Sequence, residues 1–363
     1  LVVVTGGLGP TADDVTREAA AAALGLPLVE DPRVWQAIEA RFASFGRTPT
    51  PNNRKQAEVL EGATVLWNRR GTAPGLRLEA GGATLFLFPG VPHELEALLE
   101  HELEPWLAER AGEVAIELAT LRTALRPESE VDRALGPAYE EFGRAPITVL
   151  ASPGEVKIRL SVSGPPAARR TRLDAMRARV AGLLGDSVYA EGAEVTLEAT
   201  VGRLLAERGL LLASAESCTG GMIGERMTRV AGSSGWFTGG VVAYSDRIKT
   251  RLLDVPEAAI AAHGAVSEAV ARAMAAGARR RLGADLAVAV TGIAGPGGGS
   301  SEKPVGTVHL AISGPDETTA HRHARFPGDR ERVRVFATMA ALELVRRRLL
   351  GLPLAFWSGE GRA

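Results

Sequence analysis

Three residues that could build an activated nucleophile follow one apolar segment of the sequence. Ser217 comes shortly after the apolar run 210–213, and Tyr244 and Lys249 lie further along the same stretch. A lysine or a tyrosine can activate a serine hydroxyl without any histidine. We therefore predict Ser217 as the candidate nucleophile and Lys249 as its base, provided that burial lowers the lysine pKa. Tyr244 is predicted to relay the proton or to orient the lysine.

The turn after this apolar run also offers backbone donors. The segment 217–221, Ser-Cys-Thr-Gly-Gly, separates a predicted strand from a helical pattern, so Ser217 is expected at a helix N-terminus. The N–H groups of Cys218 and Thr219 would then form an oxyanion hole. In the alternative interpretation, these small polar residues are simply helix caps.

Two further side chains compete for the role of nucleophile. Ser234 lies in the turn Gly-Ser-Ser-Gly at 232–235. Cys218 shares the helix start with Ser217, where its thiolate would be favoured, so a cysteine amidase is an alternative. We prefer Ser217 to Cys218 because no histidine lies near the cysteine in the sequence.

The histidines do not match a zinc motif. The chain has six, and none belongs to an HExxH or an HxE…CxxC pattern. His321 and His323 fall on one side of a predicted strand, but the sequence indicates no third ligand. We interpret this pair as a solvated face and predict no metal for the site around Ser217.

The surrounding elements indicate an α/β protein of three domains. Residues 1–109 and 196–363 alternate strands with helices, which is typical of α/β layer domains. Residues 110–195 contain a predicted hairpin at 147–164 flanked by helices at 128–142 and 167–184, so they form a small α+β domain. That mixture is compatible with a KH-like fold, but the GxxG loop that grips nucleic acid is missing. We interpret this domain as a spacer or dimerisation element.

The composition argues against several classes of protein, including general nucleic-acid binders and membrane-spanning proteins. The net charge of 363 residues is −1, which argues against a general nucleic-acid binder. No apolar run reaches the roughly 18 residues needed to cross a bilayer. The single cysteine excludes an internal disulfide and fits a reducing cytoplasm. The chain opens without methionine on the apolar strand 1–5, which we predict to be buried, so we expect that a segment preceding this strand is missing.

A second candidate site lies in the first domain. The glycine-rich turn Gly6-Gly7-Leu8-Gly9 separates strand 1–5 from a helix predicted to start at residue 12 or 13 and to end at 24. Such a turn suits a phosphate group. Asp13 and Asp14 in the first helical turn would either compensate the helix dipole or hold a divalent cation beside a pyrophosphate. The segment 51–57 adds Asn53, Arg54 and Lys55.

Four blocks of the third domain closely resemble the C-terminal domain of the CinA (competence/damage-inducible) family. They are AESCTGG, AGSSGWFTGGVVAYSDRIK, HGAVSE and VAVTGIAGPGGGSSEKPVGTVHLA, in this order. The resemblance implies deamidation of nicotinamide mononucleotide (NMN) by a Ser/Lys mechanism. In that reaction Arg330 would hold the 5′-phosphate, and the loop 292–299 would close around the ribose or pyridine. The predicted substrate-binding residues are Cys218, Thr219, Gly220, Gly292, Gly295 and Arg330.

The first domain resembles the N-terminal domain of the same family, which looks like the molybdopterin-binding (MogA/MoeA-like) fold. The matching blocks are TGGLGPTADDVTREA, PNNRKQA, GTAPG and PGVP. The resemblance implies ADP-ribose pyrophosphatase activity with a divalent metal, for which Asp14 is the expected ligand. A monovalent cation is a further candidate cofactor.

These observations favour a cytoplasmic enzyme of pyridine-nucleotide recycling. Its expected ligands are NMN and ADP-ribose, without nucleic-acid or membrane partners, and we expect a homodimer. Two alternatives stay open: a non-catalytic molybdopterin- or nucleotide-binding protein, and a competence-associated scaffold.

Overall fold

The computed structural model describes residues 1–110, 115–315 and 318–355, and the chain divides into two compact units, Leu1–Val114 and Ala115–Ala363. The ends of the predicted second and third domains include residues 111–114 and 356–363, which lie outside the described residues. Among the described helices, none combines the length and the apolar character that crossing a membrane requires.

The first unit is built around a four-stranded mixed sheet. Its elements are β1 (Val2–Thr5), α1 (Thr16–Leu24), β2 (Leu28–Glu30), α2 (Pro32–Ser44), a 3₁₀ helix (Pro51–Ala57), β3 (Glu58–Leu60), β4 (Thr64–Leu66), β5 (Gly75–Ala80), β6 (Ala83–Phe88), α3 (Pro92–Leu98), a π-helical turn (Leu99–Leu103) and α4 (Glu104–Arg110). The sheet order is β1-β6-β5-β4, and β2 pairs separately with β3. Only the β1–β6 pairing in this sheet is parallel.

Two predictions for this unit are wrong. We expected strand β1 to be buried, but it lies at the edge of the sheet, and Val2, Val3 and Val4 are between 36% and 49% exposed. Helix α1 begins at Thr16 rather than at residue 12 or 13. The Asp14 carboxylate accepts hydrogen bonds from the N–H and hydroxyl of Thr11, and this local turn competes with the helix.

The second unit starts with a small α+β module. Its elements are β7 (Ile116–Ala124), α5 (Glu128–Ala134), α6 (Gly136–Phe142), β8 (Ile147–Ser152), β9 (Glu155–Ser163), α7 (Pro166–Leu184), a 3₁₀ turn (Gly185–Ser187) and β10 (Val188–Glu191). The antiparallel sheet has the order β10-β7-β9-β8. The predicted hairpin is confirmed, and the α+β class with it. Likeness to a KH domain stays a prediction.

The helix predicted over 128–142 is in fact two helices. α5 ends at Ala134 and α6 starts at Gly136, with Pro137 in its first turn. Proline lacks an N–H and its ring clashes with the preceding turn, so a continuous helix through this position is disfavoured.

The rest of the second unit is a three-layer α/β structure. Its elements are α8 (Leu197–Arg208), β11 (Leu212–Glu216), α9 (Met222–Thr228), a 3₁₀ turn (Ser233–Gly235), β12 (Phe237–Val242), α10 (Asp246–Leu253), α11 (Glu257–His263), α12 (Glu268–Arg281), β13 (Leu286–Gly292), β14 (Thr307–Ser313), β15 (Thr319–Arg325) and α13 (Arg330–Leu350). The sheet order is β12-β11-β13-β14-β15. One core contains residues of α8, α9 and α13, and the other contains residues of α10 and α12. The α/β prediction is confirmed.

The sheet topology indicates which edge of the sheet can bind a ligand. Strands β11, β12 and β13 are parallel, so they end at the same edge of the sheet. The Ser217 N–H donates to the carbonyl of Val290 on β13, which fixes the first residue of the turn beside the neighbouring strand. This edge is the place at which α/β sheets bind ligands.

Candidate active site

Ser217 lies directly after strand β11, but not at a helix N-terminus as we expected. Helix α9 begins only at Met222, and a turn over 217–221 intervenes. Gly220 and Gly221 adopt φ values of +62° and +98° in this turn, a conformation that favours glycine. The two glycines bend the chain away from the strand, and Ser217 is left at the sheet edge.

The N-terminus of α9 is occupied by a side chain of the protein itself. The Glu216 carboxylate, 1% exposed, accepts hydrogen bonds from the N–H groups of Gly221, Ile223 and Gly224 at 2.9–3.0 Å. The Ser214 hydroxyl donates to the same carboxylate at 3.2 Å. The N–H groups at the start of this helix are therefore already satisfied and are not free to bind an anion.

A cavity of about 210 Å³ opens at this edge of the sheet. Residues that follow β11, β12 and β13 meet there with residues of α10 and α13. The lining residues are Ser217, Cys218, Tyr244, Asp246, Lys249, Ala265, Val266, Thr291, Gly292, Ala294 and Arg330. Ser217, Tyr244 and Lys249 thus share one cavity although they are distant in sequence.

Lys249 is buried, with 1% of its surface exposed. Its Nζ donates to the Tyr244 carbonyl at 3.4 Å and to Asp246 Oδ1 at 3.3 Å. Helix α10 carries both Asp246 and Lys249, three residues apart, on the face that borders the cavity. The ammonium group is therefore held by protein oxygens rather than by bulk solvent.

The Tyr244 hydroxyl contacts an arginine and not the lysine. Arg330 donates to the Tyr244 hydroxyl at 2.7 Å and to the Gly295 carbonyl at 2.9 Å. Lys249 meets the backbone carbonyl of Tyr244 instead. Arg330, predicted to bind the phosphate, and Tyr244, predicted to relay the proton, both line the cavity. The hydrogen bond to the Gly295 carbonyl helps to fix the position of the Arg330 side chain.

Cys218 is not an activated thiol. It is 5% exposed, and burial raises the pKa of the Cys218 thiol to about 12. The expectation that its thiolate is favoured is wrong, because the residue lies in the hydrophobic core rather than at a helix start. A Cβ on Gly292 would lie 3.0 Å from the Cys218 sulfur and 2.8 Å from the Thr307 carbonyl, so glycine is required there.

Three other predicted residues lie apart from the cavity lining. Thr219 is fully buried, and its carbonyl accepts from Arg334 at 2.9 Å. Gly220 belongs to the same turn. Ser234 is exposed in the 3₁₀ turn before β12. Because β12 runs from Ser234 towards Tyr244, this serine lies at the opposite edge of the sheet from Lys249.

Sequence reasoning missed two polar residues of the cavity. Asp246 pairs with Lys249, and the spacing of three on a helix could have revealed it. Thr291, fully buried, donates through its hydroxyl to the Ala265 carbonyl at 2.8 Å. Its position just before Gly292, at the end of a predicted strand, was the available signal.

The glycine turn of the first unit packs tightly against the start of α1. Gly6 and Gly7 have φ values of +90° and +68°. The Thr16 hydroxyl donates to the Gly6 carbonyl at 2.8 Å. A Cβ on Gly9 would lie 2.4 Å from the Asp14 carboxylate, so this turn accepts no side chain there.

Asp14 and Lys55 lie beside this turn. Burial opposes ionisation of Asp14, but hydrogen bonds from Thr11 and Gly9 and the charge of Arg17 lower its pKa overall. The Lys55 ammonium donates to the Asp14 carbonyl at 2.6 Å and pairs with Glu18 at 2.8 Å. A carboxylate and a cation therefore adjoin the glycine turn.

The other residues predicted for this site have structural contacts. The Asn53 side chain accepts from the Thr50 N–H at 2.9 Å. Arg54 forms a bidentate pair with Glu30 and lies over the Trp35 ring. Asp13 is exposed and, like Asp14, precedes the helix. Within residues 1–110, 115–315 and 318–355, no group of three or more His, Cys, Asp or Glu side chains is arranged to hold a metal.

The interpretation of His321 as part of a solvated face is wrong. Its side chain is 10% exposed, with Nε2 2.9 Å from His309 Nδ1 and Nδ1 3.4 Å from Glu268. The His309 ring also lies 4.8 Å from that of His323. Burial and neighbouring positive charge lower the pKa of His309 to about 4, and burial lowers that of His321 to about 4.

Comparisons with known proteins place these sites in a family. A family model described as "CinA C-terminal domain" matches residues 194–349, and one described as "Probable molybdopterin binding domain" matches residues 1–109. The CinA-like protein of Acidobacterium capsulatum is 45% identical over 355 residues, which cover 96% of this chain and 85% of the relative. That of Anaeromyxobacter dehalogenans (strain 2CP-C) is 47% identical over 348 residues, covering 95% and 84%.

A solved structure also matches part of the chain. The crystal structure of competence/damage inducible protein CihA from Agrobacterium tumefaciens is 42% identical, with a TM-score of 0.40, and covers 41% of this chain and 93% of its own. The family assignment rests on the two domain models and on the full-length relatives. The chain is a member of the CinA family, with a molybdopterin-binding-type domain at the N-terminus and a CinA C-terminal domain around Ser217.

Proposed function

We propose that the second unit hydrolyses the amide of nicotinamide mononucleotide to nicotinate mononucleotide and ammonia. One observation carries this proposal: Ser217 and the buried amine of Lys249 line one cavity, with the guanidinium of Arg330 at the same cavity. A hydroxyl, an amine and a cation are the groups that amide hydrolysis of an anionic substrate needs. Family membership is consistent with an amidohydrolase.

The proposed reaction proceeds through an acyl enzyme. Ser217 Oγ attacks the amide carbon, and Lys249 is proposed to accept its proton as the general base. The tetrahedral intermediate collapses as Lys249 returns the proton to the amide nitrogen, which leaves as ammonia. Water then attacks the ester carbon, its proton passes through Lys249 to Ser217 Oγ, and the product carboxylate is released. The backbone N–H of Cys218, a residue that lines the cavity, is the proposed oxyanion donor.

Substrate binding is assigned to the opposite side of the cavity. Arg330 is already oriented by the Tyr244 hydroxyl and the Gly295 carbonyl, and a guanidinium has five N–H donors. Its remaining donors are proposed to bind the 5′-phosphate. Gly292 lines the cavity together with Ser217, and the pyridine ring is proposed to pack against its backbone.

The test is product analysis with the purified chain in the presence of a chelator. Incubation of wild type with NMN is expected to yield equimolar ammonia and nicotinate mononucleotide, and Lys249→Met is expected to yield neither. Equal ammonia release by Lys249→Met would remove the lysine from the mechanism. Release of free nicotinamide, without ammonia, would identify a glycosidase and refute the amidase.

A second activity is proposed for the first unit: cleavage of the pyrophosphate of ADP-ribose. The observation behind it is the glycine turn 6–9, flanked by the carboxylate of Asp14 and the ammonium of Lys55. A Mg²⁺ ion on a pyrophosphate commonly uses only one or two protein carboxylates, so Asp14 is a sufficient ligand. The bound metal would neutralise phosphate charge. Lys55 would bind a phosphate oxygen.

This second activity has its own measurement. AMP release from ADP-ribose with added Mg²⁺ should fall strongly in Asp14→Asn and in Lys55→Ala, with ammonia release from NMN retained. Cleavage that is unaffected by Asp14→Asn would contradict the assignment. If neither activity is found, a non-catalytic nucleotide-binding role becomes the preferred account. Association into a homodimer is a further proposal, which sedimentation of the full chain tests.

A further inference from the structure

A larger cavity lies elsewhere in the second unit. Its volume is about 640 Å³, compared with about 210 Å³ for the cavity of Ser217. Its walls come from the segment after β7 (125–130), the turn of the β8–β9 hairpin (151–156) and the segment 325–336. Its volume lies in the range of roughly 300–1,000 Å³ that is typical of small-molecule sites.

The walls of this cavity are held in place by close packing. The rings of Phe326 and Phe336 stack with centroids 5.6 Å apart and an angle of 8° between their planes. A Cβ on Gly154 would lie 2.8 Å from Met339, so the hairpin turn rests directly on α13. Leu125, with φ +58°, donates its N–H to the Gly154 carbonyl at 2.9 Å. The apolar surface is therefore preformed.

Three arginines and three glutamates line this cavity. Arg126, Arg325 and Arg332 contribute guanidinium groups. Glu128 and Glu130 also line the cavity. The third carboxylate, Glu155, is neutralised because it pairs with Arg122 at 2.7 Å and accepts from the Tyr189 hydroxyl. The lining thus combines stacked aromatic rings with guanidinium hydrogen-bond donors.

We propose that this cavity is a second binding site, for an anion with a planar aromatic body of the nucleoside monophosphate class. The stacked phenylalanines supply a surface for the aromatic ring, and the arginines supply hydrogen-bond donors for the phosphate. This site contains neither Ser217 nor Lys249, and the proposal does not depend on the amidase activity. The segment 325–332 contributes Pro327 to this cavity and Arg330 to the other, so a test must separate the two.

The test is ligand binding by the full chain with two aromatic anions as probes, AMP and the fluorophore 8-anilinonaphthalene-1-sulfonate. Wild type is expected to bind the fluorophore and to release it when AMP is added. Arg332→Glu is expected to weaken AMP binding by about tenfold or more. Ser152→Trp should abolish it by filling the cavity. Arg159→Glu, which reverses an exposed charge on β9 outside the cavity, is the matched control.

Several outcomes would overturn the proposal. The proposal is wrong if wild type binds neither probe. It is also wrong if Arg332→Glu and Ser152→Trp bind AMP as tightly as wild type. Loss of AMP binding in Arg330→Ala would assign the bound anion to the cavity of Ser217. Arg332 and Ser152 are exposed, and thermal melting of both variants verifies that they are folded.

Discussion

The guanidinium of Arg330 donates a hydrogen bond to the hydroxyl of Tyr244 at 2.7 Å. These residues are far apart in sequence: Tyr244 follows β12, and Arg330 is the first residue of α13. Their contact brings a cation from the end of the chain to the cavity of Ser217. Tyr244 is therefore better described as a group that orients Arg330 than as a proton relay.

Replacing Arg330 should impair substrate binding more than chemistry. Arg330→Ala is expected to raise the KM for NMN by about tenfold or more, since a charge-assisted hydrogen bond contributes roughly 1.5–3 kcal/mol. Arg330→Lys should be intermediate, because a lysine keeps the charge but loses the fork geometry. Steady-state kinetics of ammonia release measure both. Arg251→Ala, an exposed arginine on α10, is the control. A fall in kcat with unchanged KM would contradict this role.

Glu216 should stabilise the turn that carries Ser217. Glu216→Ala leaves three N–H groups of the α9 start without their acceptor, so the free energy of unfolding should fall by about 2–4 kcal/mol. Glu216→Gln keeps one acceptor oxygen and should lose less. Denaturant unfolding provides the measurement. The control is Glu225→Ala on the same helix, whose exposed pair with Arg229 contributes little. Equal losses for the two alanine variants would disprove the capping role.

The histidine cluster should make the fold sensitive to acid. The pKa values of His309 and His321 are lowered from 6.5 to about 4 in the folded chain, so both rings are neutral near pH 7. Their stabilisation is complete above about pH 6.5 and is lost as the pH falls towards 4, because protons then bind preferentially to the unfolded chain. The loss should be on the order of 1 kcal/mol per ring after allowing for solvent screening.

His321→Gln tests this prediction directly. The variant should lose less stability than wild type between pH 7 and pH 4.5, as measured by thermal unfolding across that range. His101→Gln, at an exposed histidine of the first unit, should follow the wild-type profile. Parallel pH profiles for wild type and His321→Gln would show that the cluster does not titrate as described.

The position of the site, at the edge where the parallel strands end, could be predicted from the sequence. Apolar runs that end in polar or glycine-rich turns at Ser217 and Gly292 indicate parallel strands, whose carboxyl ends share one edge. Lys249 was found because a buried amine is the natural partner of a serine where no histidine is near. Strand β12 was not predicted, because Gly239 and Gly240 interrupt its apolar pattern.

Contacts between residues that are distant in sequence could not be predicted in this way. The Glu216 carboxylate caps α9 only because the two glycines of the turn fold the chain back onto it. His309 lies opposite His323 only in the observed register of β14 and β15. Helix α11 (Glu257–His263) was not predicted, because its short apolar pattern gives little signal in the sequence.

The most direct test of the central claim compares two serine variants in the same assay. Ammonia release from NMN is measured for wild type, Ser217→Ala and Ser234→Ala, each verified as folded by thermal melting. The account predicts that Ser217→Ala releases no ammonia and that Ser234→Ala matches wild type, because Ser234 lies at the opposite edge of the sheet. An active Ser217→Ala, or an inactive but folded Ser234→Ala, would contradict the assignment of Ser217 as the nucleophile.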